Sequence, residues 1–203
     1  ALAQIIPDRV IADCGGAPSM RALFSGRDRN GDPFSQVLFA SGGMGACPHR
    51  DGISAMSFPT NVGAGSIEAF ESVAPLVVWR KQLAPDSGGV GQFIGGLGQD
   101  AEIEIRSPAP VRLSLISDRR DHPALGLLGG GAGAPAVISL SDGTRPHPKS
   151  RTTVAPGTRV RMVYPGGGGF GDPAKRDPQA IKEDLRNGYV TAAGRDAAAG
   201  GAE

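Results

Sequence analysis

The sequence predicts an α+β fold dominated by strands, for three reasons. Glycine accounts for 32 of the 203 residues and proline for 17, a composition typical of many short elements joined by turns. Apolar residues alternate with charged or polar residues at 102–105, 111–115 and 159–164, which is the period of half-buried strands. One clear helix follows near the C-terminus. We therefore expect a β-rich, mostly antiparallel or mixed sheet with glycine-rich loops and a C-terminal helix.

The first half of the chain predicts a hairpin, a short helix and a strand. Asn30-Gly31 separates the apolar runs 23–24 and 37–39, which is a strong hairpin pattern. Residues 67–74 suit one or two helical turns that end at Pro75, and residues 76–82 suit a strand.

The second half predicts further strands and the final helix. Residues 137–140 form an apolar run followed by an Asp142-Gly143 turn. Asp177 is a good N-cap, Pro178 suits the first helical position, and Gly188 ends the helix. We expect one domain over residues 1–190 and an Ala/Gly-rich disordered tail over 191–203.

Charge, cysteines and the N-terminus limit the classes of function. A net charge of +1 gives no electrostatic argument for nucleic acid or an anionic membrane as partner. Cys14 and Cys47 form no disulfide framework, which favours reduced thiols in a cytoplasmic protein. The apolar entry segment, residues 1–12, has no initiator Met and no secretory signal, so we expect a processed chain or part of a longer one.

The stretch from Pro85 to Gln99 contains six glycines between two predicted strands. Such a backbone can take positive φ or press closely against another surface, and tight turns in a β-rich protein are the alternative interpretation. No Lys follows the glycines as a Walker motif requires, and Ile94 occupies the third glycine position of a dinucleotide fingerprint. Both phosphate-binding interpretations are therefore weak.

Asp86 and Ser87 at the head of this stretch are our candidate catalytic residues. A carboxylate and a hydroxyl could line a cavity, with the backbone N–H groups of Gly88 and Gly89 available to an anion. An Asx-turn that starts the loop is the alternative.

Two further groups are candidates for binding a substrate or anion. Cys47, His49 and Asp51 are two apart and could share a strand face, but Pro48 favours a turn, so we expect no metal and keep His49 and Asp51 as anion-binding candidates. Arg119 and Arg120 could read a phosphate or carboxylate as a bidentate fork, with plain surface exposure as the alternative.

Several glycine-rich motifs occur in a fixed order and carry a family resemblance: Gly42–Ala46, Asp51-Gly52, Ile67-Glu68, Pro85–Gly89, Gly95–Gln99, Asp118-Arg119, Gly126-Leu127, Gly129-Gly130, Tyr164–Pro173 and Arg176–Pro178. Together they resemble the C-terminal part of the hydantoinase B/5-oxoprolinase family, which includes the acetone carboxylase large subunit. The two most specific motifs are 85–99 and 164–173.

The resemblance implies an ATP-dependent system. A hydantoinase A-like ATPase subunit would phosphorylate a cyclic amide, a ketone enolate or bicarbonate, and the B-type subunit would supply the site where the activated intermediate is hydrolysed or carboxylated. It implies a hetero-oligomer in which this chain works with the ATPase subunit and with the upstream part of the B-type subunit. ATP would bind to the ATPase subunit, and a divalent metal would bind to the upstream part.

Two departures favour a second hypothesis. The family's metal ligands belong to the upstream part, and Ile94 stands where members commonly have Arg before Gly-Gly-Leu-Gly. The alternative function is a non-catalytic structural or interface domain that completes a split enzyme.

Overall fold

The computed structural model of the chain describes residues 5–16, 21–60, 62–63 and 65–200, and the side chains of all of these except 197–200. Residues 1–4 of the predicted entry segment and 201–203 of the predicted tail lie outside the described residues. A short 3-10 helix over Pro7–Arg9 opens the described part.

The first sheet contains the predicted hairpin. Strands β1 (Arg21–Arg27) and β2 (Pro33–Phe39) pair across the Asn30-Gly31 turn, where Gly31 has a φ of 88°. With β5 (Val111–Ile116) and β7 (Arg151–Val154) they form an antiparallel sheet in the order β2-β1-β5-β7.

The second sheet has the order β3-β4-β8-β6 and is also antiparallel. Its strands are β3 (Leu76–Leu83), β4 (Gln99–Ile105), β6 (Val137–Leu140) and β8 (Arg159–Val163). The helix α1 (Ile67–Val73) precedes β3 and is capped by Ser66, whose hydroxyl accepts the Ala69 N–H. The predicted α+β class is therefore confirmed.

The core lies between the inner faces of the two sheets. Phe24 and Leu113 of the first sheet and Ile103 and Val160 of the second are all completely buried in one apolar cluster. Helix α1 adds Phe70, whose ring meets that of Phe24 edge to face at 6.2 Å between centroids. The alternation seen in the sequence thus places one apolar face of each sheet in a shared core.

The C-terminal arm, residues 172–196, begins with a 3-10 helix over Pro173–Lys175 and continues in α2 (Pro178–Asn187). The predicted caps are confirmed: Asp177 accepts the Gln179 N–H, and Gly188 is left-handed with a φ of 70°. The helix α3 (Ala192–Gly200) follows, and the disordered tail expected over 191–203 stays a prediction. Among the described residues no helix is long and apolar enough to cross a bilayer.

Outside the strands, extended glycine-rich segments pack side by side in what we call the glycine bundle. It consists of residues 12–15, 42–46, 87–98, 124–134 and a central segment, 165–170. Backbone hydrogen bonds join these segments to one another, so peptide groups that belong to neither sheet still find partners.

The central segment contacts different neighbours with a three-residue period. Gly167 donates to Gly96 O at 2.9 Å, whereas Gly168 donates to Asp13 O at 2.8 Å. Gly166 and Gly169, three residues apart, both donate to the 131–134 part of the bundle. Three residues per turn without internal hydrogen bonds is the geometry of a polyproline II helix.

At most of its glycines the bundle leaves no room for a side chain. A Cβ placed on Gly43 would lie 1.7 Å from Gly96 O, and one on Gly95 would lie 1.9 Å from Gly167 O. None of the glycines between 85 and 99 has a left-handed φ, so no positive-φ conformation requires glycine at these positions, although a turn does occur at residues 85–86. Close approach of backbones, the other possibility, explains these glycines.

Gly43→Ala is expected to destabilise the fold by about 3 kcal/mol or more, because the new methyl group would meet rigid backbone. Gly63→Ala is the matched control, since a Cβ there has no described atom within 4 Å and should change stability by less than about 0.5 kcal/mol. Chemical denaturation of both variants measures the difference. Wild-type stability of Gly43→Ala would contradict the proposed packing.

Candidate functional site

The glycine stretch 85–99 runs along the central segment of the bundle, and its amides are used there. Gly89 N–H donates to Gly167 O at 2.8 Å, Gly95 N–H to Gly89 O at 2.8 Å, and Gly96 N–H to Met44 O at 2.8 Å. Because these donors are already satisfied, they are not free to cradle a phosphate or an oxyanion.

Gly88, the neighbour of Gly89, is an anion-binding candidate through its backbone N–H group. Its φ is not left-handed, but a Cβ at this position would lie 2.0 Å from Gly95 O. The requirement for glycine here is therefore steric and comes from the facing backbone.

Ser87 is buried and ties the two ends of the stretch together. Its hydroxyl donates to Ala84 O at 2.6 Å and accepts the N–H of Gly98 at 2.9 Å. Ser87 is only 3% exposed, and its hydroxyl already donates one hydrogen bond and accepts another. In this structure it therefore holds the loop in place.

Asp86 lies at the surface and holds the C-terminal arm. Its backbone is left-handed with a φ of 58°, and its carboxylate accepts both the N–H and the hydroxyl of Thr191 at 2.7 Å. Asp86 N–H also donates to Tyr189 O at 3.0 Å. A left-handed backbone costs energy for a non-glycine residue, so the bonds to Thr191 and Tyr189 are what hold Asp86 in this conformation.

Asp51 makes a second contact with the same arm through Arg176. The two side chains form a bidentate pair, with both nitrogen–oxygen distances at 2.9 Å. Asp51 Oδ1 also accepts the N–H of Ile94 at 2.8 Å, at the position where the sequence departs from the family.

Arg176 is the centre of a buried charge cluster that includes Asp184 of α2. Its guanidinium is 8% exposed and contacts Asp184 Oδ2 at 2.8 and 3.0 Å and Gln92 O at 3.1 Å. Burial raises the pKa of the Asp184 carboxyl above its ordinary value, and the Arg176 charge opposes that rise. The cluster joins the arm, the glycine stretch and the Asp51 segment.

The structure separates His49 from Asp51. Cys47 and Arg50 pair across a tight turn, so His49 is at the exposed turn and Asp51 points towards Arg176. Among the residues that the structure describes, no group of three His, Cys, Asp or Glu side chains could hold a metal ion. The residues present therefore do not fit the divalent metal that the family implies.

Arg119 and Arg120 also diverge. Arg119 is left-handed with a φ of 62° and lies 3.3 Å from Asp13 Oδ2, next to the bundle. Arg120 lies 3.7 Å from Asp121 and lines a shallow pocket of about 240 Å³ with Arg145. The two guanidiniums do not form one fork.

Asp86 and Asp51 both contact the C-terminal arm, but at different points, Thr191 and Arg176. Ser87 follows Asp86 and holds the glycine stretch, so these residues lie along the junction of the glycine stretch with the C-terminal arm. Sequence reasoning missed the partners Arg176, Asp184 and Thr191, although Arg176 belonged to a recognised motif. That motif was the only available signal, because the spacing within the sequence gives no indication that Arg176 faces Asp51.

The comparisons with known proteins agree with the predicted family. The family model described as Hydantoinase B/oxoprolinase matches residues 1–173. Caprolactamase subunit beta of Pseudomonas jessenii is 34% identical over 94% of this chain and 35% of its own length. The acetone carboxylase alpha subunit of Xanthobacter autotrophicus is 25% identical over 74% of this chain and 24% of its own.

A solved structure shows the same fold. The crystal structure of the ATP-dependent caprolactamase from Pseudomonas jessenii superimposes with a TM-score of 0.82 at 30% identity, covering 96% of this chain and 36% of that one. The chain spans about a third of the length of the first curated relatives it matches. Which third it corresponds to stays a prediction.

Arg176→Met is expected to lower the free energy of unfolding by about 2 kcal/mol or more at pH 7, because Asp184 is left buried without a cation. The deficit should shrink at pH 4. Burial raises the pKa of the Asp184 carboxyl, and the loss of the Arg176 charge would raise this pKa further. A carboxyl whose pKa is higher in the folded than in the unfolded state makes the protein less stable as the pH rises, so the variant should be closest to wild type at low pH.

Arg195→Met is the control, since among the described residues Arg195 forms an ion pair only with the exposed Asp196, so the change should alter stability by less than about 0.5 kcal/mol. Denaturant unfolding of both variants at the two pH values measures this. A pH-independent deficit would contradict the role of Asp184.

Proposed function

The chain belongs to the hydantoinase B/oxoprolinase family, and we propose that it is a section of the B-type subunit of an ATP-dependent enzyme that opens cyclic amides. The observation that carries this proposal is the likeness to caprolactamase subunit beta, which extends over 94% of the chain. The likeness to the acetone carboxylase subunit is lower and shorter, which favours hydrolysis over carboxylation.

In this proposal the work is divided between polypeptides. A hydantoinase A-like ATPase subunit binds ATP and activates the amide by phosphorylation, and the remaining part of the B-type subunit holds the divalent metal. This chain supplies the glycine bundle and the junction with the C-terminal arm, in a hetero-oligomer that we place in the cytoplasm. Neither nucleic acid nor a membrane is a partner.

Asp86 is the residue of the junction that we assign to the shared site. It combines an exposed carboxylate with a strained backbone, a combination frequent at functional positions. Ser87, Gly88 and Gly89 would act behind it as positioning residues, because the Ser87 hydroxyl and the Gly89 N–H already have hydrogen-bond partners and the backbone faces Gly88 too closely for a side chain.

The other candidates have weaker support as binding residues. Asp51 already forms an ion pair with Arg176, and His49 lies apart at a turn. Arg119 is paired with Asp13, whereas Arg120 lies near Asp121. They remain candidates for anion binding only if the assembly rearranges their contacts.

A non-catalytic role is the second candidate function. The specific observation in its favour is that Asp86 and Asp51 both contact the C-terminal arm, so each can be explained by holding the arm in place. In that case the chain completes the fold of the subunit and carries an interface.

The isolated chain is expected to hydrolyse neither ATP nor a cyclic amide. The assembly with its ATPase subunit should release phosphate from ATP in proportion to the number of amide rings that it opens. Phosphate release measured with a lactam, a hydantoin, 5-oxoproline, and acetone with bicarbonate identifies the substrate class. If acetone with bicarbonate were the only pair of substrates turned over, the hydrolase proposal would be replaced by a carboxylase. ATP hydrolysis by the isolated chain would refute the proposed division of work between the subunits.

Asp86→Asn separates the two functions. Asn keeps the shape and one acceptor for Thr191 but loses the charge, so a catalytic carboxylate predicts turnover lower by about a hundredfold with an unchanged melting temperature. Asp142→Asn is the matched control, because Asp142 is an exposed carboxylate that accepts a backbone N–H, from Thr144, in a distant turn. Equal turnover of both variants would leave the non-catalytic role.

A further inference from the structure

The outer face of the first sheet is unlike that of the second. Along β1, Ala22 and Phe24 point into the core with 1% and 0% exposure, so Arg21, Leu23 and Ser25 point outward. The same alternation sends Arg112 of β5 and Arg151 of β7 to this outer face, where both are exposed.

The strand register brings the outward residues together in rows. Arg21 lies between Phe39 and Ile116, and the next row contains Val37, Leu23, Ser114 and Arg151. We call this surface the arginine face and define it by Arg112, Arg151, Leu23, Val37, Phe39 and Ile116. Phe39 and Ile116 are 42% and 44% exposed, so an apolar corner adjoins the arginines.

The arginine face has no carboxylate of its own. The four strands of the first sheet, all described by the structure, contain four arginines, at 21, 27, 112 and 151, and neither Asp nor Glu. In the described part of the chain, neither Arg112 nor Arg151 forms an ion pair.

The second sheet compensates its outer charges internally. Its central strand β4 carries Asp100, Glu102 and Glu104, which pair with arginines from both neighbouring strands. Asp100, only 6% exposed, lies 3.1 Å from Arg161 and 3.2 Å from Arg80. Sheet geometry alone therefore does not explain unpaired arginines on the first sheet.

We propose that the arginine face docks a protein surface that combines carboxylates with apolar side chains. Carboxylates match the bidentate geometry of Arg112 and Arg151, and apolar side chains would cover Phe39 and Ile116. A second copy of the chain meeting this face with its own arginine face would place arginine against arginine, which disfavours symmetric pairing. Phosphates of a nucleic acid would leave the apolar corner exposed.

The probe is a synthetic peptide in which glutamate and leucine take turns at every second position, with serine between them. When extended, it presents carboxylate and apolar groups on one face. Added to the isotope-labelled chain, the peptide should shift backbone NMR signals of β1, β2 and β5 at the arginine face, and binding should weaken with added salt. Shifts confined to other surfaces, or no binding, would overturn the proposal.

Paired variants test the charges. Arg112→Gln with Arg151→Gln should weaken peptide binding by about tenfold or more and leave the melting temperature unchanged, because neither arginine forms an ion pair with the described residues. Arg159→Gln with Arg161→Gln removes the same net charge from the second sheet and should leave binding within about twofold. This control should lower the melting temperature, since Asp100 loses a partner.

Two further measurements fix the class of partner. Phe39→Ser with Ile116→Ser should also weaken binding, because both side chains are exposed and would contact the leucines. Duplex DNA and vesicles of anionic lipid are titrated in parallel. The proposal is wrong if the DNA or the vesicles bind the arginine face as tightly as the peptide does. It is also wrong if the variant with Arg112→Gln and Arg151→Gln binds the peptide as tightly as the wild type.

Discussion

The rest of the structure depends on backbone-to-backbone contact in the glycine bundle. The extended central segment, 165–170, forms no hydrogen bonds within itself, so its peptide groups bond to the neighbouring segments. Several of these backbones approach so closely that a Cβ would not fit, as where Gly43 faces Gly96 O. Each segment is therefore held by several others that are distant in sequence.

This packing decides what the candidate site can do. The amides of Gly89, Gly95 and Gly96, which could have bound an anion, are used within the bundle. What remains at the surface is the junction with the C-terminal arm, where Asp86 contacts Thr191 and Asp51 contacts Arg176. The bundle thus leaves the carboxylates at its margin as the groups that we propose for the shared site.

The same scaffold presents two sheets with different outer faces. One pairs its acidic strand with basic neighbours, and the other presents Arg112 and Arg151, which form no ion pair with the described residues, beside an apolar corner. The chain spans about a third of the length of the curated relatives it matches, so surfaces suited to other polypeptides agree with a section of a larger subunit. A scaffold of this kind can serve a shared site without containing all of it.

The sequence by itself determined the local features: the Asn30-Gly31 hairpin, the helix from Asp177 to Gly188, the alternating strands and the family. These depend on turn chemistry, capping and period, which act over a few residues. Only the tertiary structure decided which segments face each other. Arg176 and Asp51 are 125 positions apart, and a glycine needed for close approach looks in sequence like one needed for a turn. The reason is that the partners of an extended segment depend on the path of the whole chain.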